Sequence, residues 1–432
     1  MSPRKVLILT VDCWNSNISA GSSQTYSTLF SSMDDVELSN IYIREELPND
    51  PCCKRYFQIS ESKIIKSIFK RNMQTGREVS AELECNREDI DRINDQHRLY
   101  SKQRKHLYYT KKLVRELLWL VAPWKSEELK AYLKDIDPEI IIYSMEGYIH
   151  FNRICRYAKK VTGARSIGYF WDDNFTYKQR KKLGYKIYRF FQRKSLKKLA
   201  AETDEFWAIS PKTKAEADKF FNISSTVIPK PTERDLASAP ENKRAVLPIK
   251  MLYAGNLMIG RMDTVRMLAE VIKEINSDEE KIVLDVYTPT EVPESMKEAN
   301  SGVNFHDPVS QTEVLRLQES ADVLLFAEDI VGKERKVARL SFSTKIPDYL
   351  SCGKCILAIG DFDTAPMEYF INEDVAICAD TKEKIREGLM KLICEPDSIT
   401  EYGKKAYACA VKNHSKEKIK NKIMRDIEKL RR

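Results

Sequence analysis

The chain has 432 residues, 42% of them hydrophobic and 31% charged, with only 14 glycines and 16 prolines; this excludes a long disordered or collagen-like tract and favours two domains over a single α/β core. Net charge is +8, and much of the excess lies between Lys178 and Lys198, which argues for a local docking patch and against a general nucleic-acid surface. Nowhere do about 18 apolar residues run together, so no transmembrane helix is expected, and the ten scattered cysteines fit a reduced, cytoplasmic protein.

Val6–Val11 is an apolar run too short for a signal peptide and reads as a first buried strand. Ala20-Gly21-Ser22-Ser23 then opens a helix. Short β-branched runs at Val36–Ile43, Glu139–Tyr143, Arg165–Trp171 and Glu205–Ile209 alternate with amphipathic segments, which predicts a parallel sheet with crossover helices. The exception is a charged, weakly periodic insertion over about 45–115, expected as helices or loop. These elements make a first Rossmann-like domain over 1–229. The pattern stops at Ile228-Pro229-Lys230-Pro231, and 230–248 reads as a linker. Strands resume at Ile249–Ala254, Ile282–Tyr287, Val303–Phe305, Val323–Ala327, Cys355–Ile359 and Val375–Ala379, giving a second Rossmann-like domain over 249–414. The charged helix 415–432 follows the completed second sheet and is expected to pack back on the first domain.

Parallel α/β domains bind ligands at the carboxyl ends of their strands, so the turns there carry the chemistry. After Val323–Ala327 come Glu328-Asp329, a basic loop with Lys333, Arg335, Lys336 and Arg339, and then Ser341-Phe342-Ser343-Thr344-Lys345-Ile346-Pro347-Asp348-Tyr349-Leu350-Ser351-Cys352-Gly353-Lys354-Cys355. Ser343, Thr344 and Lys345 would open a helix whose free N–H groups and dipole favour a diphosphate, and Pro347 is tolerable in its first turn. Asp348, one turn further in, is placed to accept both hydroxyls of a ribose. After Ile249–Ala254, Gly255 lets the backbone approach a ligand, and Arg261, six residues on, can pair with phosphate oxygens. A P-loop competes for Gly255–Gly260, but Arg261-Met262 lacks the Lys-Ser/Thr pair that would hold phosphate and magnesium. Cys352 and Cys355 have CxxC spacing, yet no second ligand pair accompanies them, so no metal is expected.

The run Ser341–Ala358 resembles the nucleotide-sugar signature of retaining glycosyltransferases of family four, and the resemblance extends over about Leu252 to Ala379. It implies the GT-B fold, two facing Rossmann-like domains with a UDP- or GDP-linked sugar held in the C-terminal one, and transfer with retention and without metal or other cofactor. By that resemblance Asp348 takes the place of the family's second glutamate, and Arg261 that of a lysine beside the diphosphate. Phe305-His306-Asp307-Pro308-Val309 resembles the loop next to the base, where His306 takes no acid–base role, and Gly21 the glycine loop of the first domain. Leu340 stands where the family has a glutamate and Asn256 where it has an arginine; Glu328 is either a substitute acid or a solvated one at a strand end. Many relatives end a first-domain strand in histidine, whereas here Asp172 or Asp173 either orients an acceptor hydroxyl or caps the next helix.

Lys178–Lys198 is a helix dense in cations with interleaved Tyr185, Tyr188, Phe190 and Phe191. Lys182, Lys186, Arg189, Phe190, Arg193 and Lys194 suit an anionic bilayer surface; the alternative is a solvated helix whose aromatics face the core. Docking implies a peripheral protein on the inner face of the cell membrane, acting on a saccharide or lipid-linked saccharide in surface-glycan assembly. Arg261, Lys345 and Asp172 are then the expected catalytic residues. A nucleotide-sugar epimerase of the same fold and an inactive membrane-bound partner of another transferase remain as alternatives.

Overall fold

The structure is a computed structural model and describes residues 3–15, 22–70, 73–81, 86–101, 108–241, 244–297, 302–332 and 334–430. Contacts divide the chain into two units, Met1–Ile209 with Thr213–Ile228 and Ile419–Arg432, and Ser210–Lys212 with Pro229–Lys418.

The first unit is built on eight strands: β1 (Arg4–Leu9), β2 (Val36–Tyr42), β3 (Arg55–Ile59), β4 (Gly76–Val79), β5 (Ile140–Ser144), β6 (Arg165–Phe170), β7 (Glu205–Ala208) and β8 (Ser225–Val227). Their order is β4-β3-β2-β1-β5-β6-β7-β8, parallel except for the antiparallel pair β3–β4. β1 is central, with Val6 opposite both Leu38 and Ile140, and Leu7, Ile8 and Leu9 are fully buried. A strand covered on both faces reads as an unbroken apolar run, which is why β1 and β5 are visible in the sequence.

Where the insertion was expected to hold only helices or loop, it contributes β3 and β4. Their period is masked by edge-strand charges: Arg55 Nε bonds Glu78 Oε1 at 2.6 Å, and Arg77 Nη2 bonds Asp89 Oδ1 at 2.5 Å. The helix Arg87–Ser101 closes over this edge, with Arg92 Nε 3.2 Å from buried Glu45. The C-terminal helix Lys416–Lys429 packs on the first unit, as its sequence position suggested: Ile419, Ile423 and Ile427 are buried, and Trp207 Nε1 donates to Asp426 at 2.7 Å. Their four-residue spacing puts all three on one helical face.

The second unit carries β9 (Ile249–Ala254), β10 (Ile282–Tyr287), β11 (Val303–His306), β12 (Val323–Ala327), β13 (Cys355–Ile359) and β14 (Ile377–Ala379), all parallel in the order β11-β10-β9-β12-β13-β14. β12 and β13 are buried throughout, and Cys355 serves there as a small apolar residue. Residues 230–234 lie along this unit, with His414 Nδ1 2.9 Å from Lys230 O and Thr232 Oγ1 2.7 Å from Ser351 Oγ.

Candidate functional site

Both sheets reverse their strand order once, between β1 and β5 in the first unit and between β9 and β12 in the second. Crossovers leave such a point towards opposite faces, so a crevice opens at the carboxyl ends of the flanking strands.

In the second unit the residues after β9 and β12 meet at that point. Gly255 has φ 144°, and a Cβ there would meet the side chain of Lys345, with Cε at 2.8 Å. Only glycine combines that backbone with that close approach. Arg261 opens the helix Arg261–Ile275 and is fixed at three points: Nε to Ala327 O at 3.2 Å, Nη1 to Asn256 Oδ1 at 3.1 Å, and Nη2 to Glu328 Oε1 at 3.1 Å. Glu328 is 8% exposed, so it is no solvated acid but the anchor of a half-buried guanidinium. Lys345 places its ammonium 4.3 Å from the centre of the Tyr253 ring and has no ion pair among the described residues. Burial, with Arg261 adding to it and Glu328 opposing, brings its pKa down to about 8. Two cations thus face one carboxylate in a partly dry crevice, an arrangement that favours a multiply charged anion.

The tip of the helix Lys345–Ser351 contributes less than its sequence suggested. Ser343 Oγ accepts the Lys345 N–H at 3.3 Å and Ser343 O accepts that of Ile346 at 3.2 Å, and the helix spans only seven residues. The side-chain cations carry the charge instead. Thr344 is exposed beside them. Asp348 belongs to a separate group: burial raises its pKa, with Lys230, Glu233 and Arg234 as the charges acting on it. His306 lies at the ends of β10 and β11, with Nε2 2.8 Å from Asp285 Oδ1 and its ring stacked on Tyr287 at 4.5 Å; Pro308 and Val309 are exposed beyond it. Leu340 is wholly buried. Gly21 and Lys333 lie outside the described residues.

In the first unit Asp173 is buried and accepts the Thr176 N–H at 2.8 Å, closing a local turn rather than capping the next helix, whose N-cap is Lys182, whereas Asp172 is exposed after β6. Sequence reasoning missed Glu146, two residues past β5. Burial first, then Asp172 and Asp12, push its carboxyl up to about 8, with Arg44 opposing. Asp12 follows β1, so Glu146 and Asp12 flank the reversal point of this sheet. Position after a strand was the available signal, but strand order was needed to single it out.

The basic helix runs over Leu183–Ala200. Lys182, Lys186, Lys194 and Phe190 are exposed, together with Leu183, Ile187 and Phe191, while Tyr185 and Tyr188 are buried. Arg189 and Arg193 depart from the expected docking face, because the helical period turns them inward with Tyr185 and Gln192. Arg189 Nη2 donates to Gln179 Oε1, and Arg193 Nη1 to Phe175 O, both at 2.6 Å; the Arg193 guanidinium also lies 4.2 Å from the centre of the Phe220 ring. Among the described residues no helix is long and apolar enough to cross a membrane, and no group of three His, Cys, Asp or Glu side chains is placed to hold a metal ion.

By sequence, no family model and no curated protein matches the chain. By structure it is similar to sucrose-phosphate synthase from Thermosynechococcus elongatus, at 12% identity and TM-score 0.59 over 99% of both chains. It is also similar to HepE of Anabaena in complex with UDP-glucose, at 9% identity and TM-score 0.57 over 98% of this chain and 99% of that one. Similarity to α,α-trehalose 6-phosphate synthase from Burkholderia multivorans gives 7% identity and TM-score 0.55, over 100% of this chain and 97% of that one. At such identities the likeness is one of fold: the chain has the GT-B type of α/β architecture, with two mainly parallel sheets flanked by helices.

Proposed function

We propose that the chain transfers a sugar from a nucleotide-diphosphate sugar, UDP- or GDP-linked, to a saccharide or lipid-linked saccharide, with retention and without a metal, in the manner of family-four glycosyltransferases. The observation that carries this reading is the pairing of Arg261 and Lys345 against the single carboxylate of Glu328 at the reversal point of the second sheet. The fold neighbours support it, since HepE is seen with UDP-glucose and two others are sugar-phosphate synthases.

As the bond from the anomeric carbon to the diphosphate breaks, negative charge grows on the leaving phosphoryl oxygens. Arg261, already fixed by three hydrogen bonds, and Lys345, seated on Tyr253, meet that charge without reorganising. Asp348 is the group for the ribose hydroxyls, and the His306–Val309 edge the one for the base. In the first unit Asp172 and Glu146 orient the acceptor hydroxyl. The exposed face of the helix Leu183–Ala200 rests on an anionic membrane.

A thermal-shift screen of nucleotide sugars tests donor binding, since a ligand at 100 times its dissociation constant stabilises by about 2.7 kcal/mol. With the matched donor, Arg261→Ala is expected to lower kcat/KM about 10- to 100-fold, the worth of one charge-assisted contact. Unchanged turnover in that variant overturns the assignment. Release of an isomeric nucleotide sugar without acceptor indicates an epimerase instead, and a shift without turnover indicates an inactive partner.

A further inference from the structure

Where the helices Tyr108–Val121 and Leu183–Ala200 pack together in the first unit, Arg189 and Lys112 have no ion pair among the described residues. Arg189 is 3% exposed, yet only Nη2 finds an acceptor, Gln179; Nε and Nη1 are buried without a hydrogen-bond partner. Folded proteins rarely leave such donors dry. On the facing helix Lys112 has no ion pair among the described residues; its ammonium lies 4.6 Å from the centre of the Tyr108 ring and 5.4 Å from that of Tyr188. Burial lowers the pKa of Lys112, with Arg115 and Arg189 acting in the same direction and Tyr148 and Glu116 against them.

The carboxylates around this point are engaged elsewhere. Glu61 pairs with Arg115 and accepts from Trp119. Glu116 takes the His150 ring and the N–H groups of Ile149 and His150, and Asp173 takes Thr176. Both helices also expose apolar side chains, Leu117 at 61% and Val121 at 69% on one, Leu183 at 74% and Phe190 at 56% on the other. Exposed lysines 182, 186 and 194 accompany the second pair. A buried arginine and a half-buried lysine, neither in an ion pair, beside exposed apolar side chains match an amphiphile with an anionic head.

We propose that Arg189 and Lys112 seat the phosphate of an anionic membrane lipid, with the apolar sides of the two helices in contact with its acyl region. This rests on the membrane reading of the helix Leu183–Ala200 and names the group recognised there. It also gives the two dry nitrogens of Arg189 an acceptor.

The test is co-sedimentation of the full chain with phosphatidylcholine vesicles, with and without phosphatidylglycerol. Wild type is expected to prefer the anionic vesicles. Lys112→Gln with Arg189→Gln should weaken that binding by about a hundredfold or more, since charge-assisted contacts are lost. Lys186→Gln with Lys194→Gln, the same change in net charge at exposed positions, should cost about thirtyfold. Equal losses in the two double variants overturn the phosphate seat and leave the membrane face standing. No preference for anionic vesicles in wild type overturns both. A thermal shift with glycerol 3-phosphate that needs Lys112, without any vesicle preference, assigns the site to a soluble phosphate and overturns the lipid. Should circular dichroism show the Arg189 variant unfolded, Lys112→Gln against Lys186→Gln alone decides, with the larger loss expected at Lys112.

Discussion

Raising the pH from 7 to 9 discharges Lys345. Its pKa of about 8 comes from burial, with Arg261 adding and Glu328 opposing, and only the protonated amine neutralises a diphosphate. In the free site the ammonium is about 90% charged at pH 7 and about 10% at pH 9, so the apparent dissociation constant for the nucleotide sugar that the thermal-shift screen selects rises about tenfold, or about 1.4 kcal/mol. Arginine stays charged throughout, so Lys345→Arg flattens the profile even where its fit is poorer. Titration calorimetry at pH 7, 8 and 9 reads this directly. Glu146→Gln serves as the background, because Glu146 also titrates near pH 8. A wild-type affinity that is constant across the interval refutes the reasoning, as does a tenfold loss that persists in Lys345→Arg.

Glu146 predicts a stability change of definite sign. Its pKa is raised from 4.5 to about 8, so between those values the folded state holds a proton that the unfolded chain has released, and stability falls as pH rises through the window. Glu146→Gln removes that fall and leaves the variant more stable than wild type by about 2–3 kcal/mol at pH 8, after discounting for partial exposure; urea denaturation at pH 5 and pH 8 measures it. Ile423→Ala empties a fully buried position in the C-terminal helix and should cost about 2–5 kcal/mol. A melting curve reads that loss, and the donor-induced shift should survive it, because Ile423 belongs to the first unit.

Much of the scaffold was legible one residue at a time. β9, β10, β12 and β13 begin and end where their apolar runs do, because strands covered on both faces of a parallel sheet admit little else. The charged run 415–432 after the completed second sheet reads as a helix packing on the first domain, and the structure buries Ile419, Ile423 and Ile427 along its inner face. By contrast, β3 and β4 carry Arg55, Arg77 and Glu78, whose ion pairs at a sheet edge replace the apolar alternation that a reader of sequence relies on.

The site divides in the same way. Gly255, Arg261 and Lys345 stood out by their places after a strand and at a helix start, both local properties of the chain. That Arg261 is held by Glu328, 67 residues away, that Asp348 answers to Lys230 and Arg234 rather than to Lys345, and that Arg189 points inward while Lys186 points out were decided by the tertiary structure. Periodicity records which side of an element meets water. Strand order and the loss of solvent around a charge arise only when distant segments come together, and these two quantities set which acids and cations share a crevice and what charge they carry.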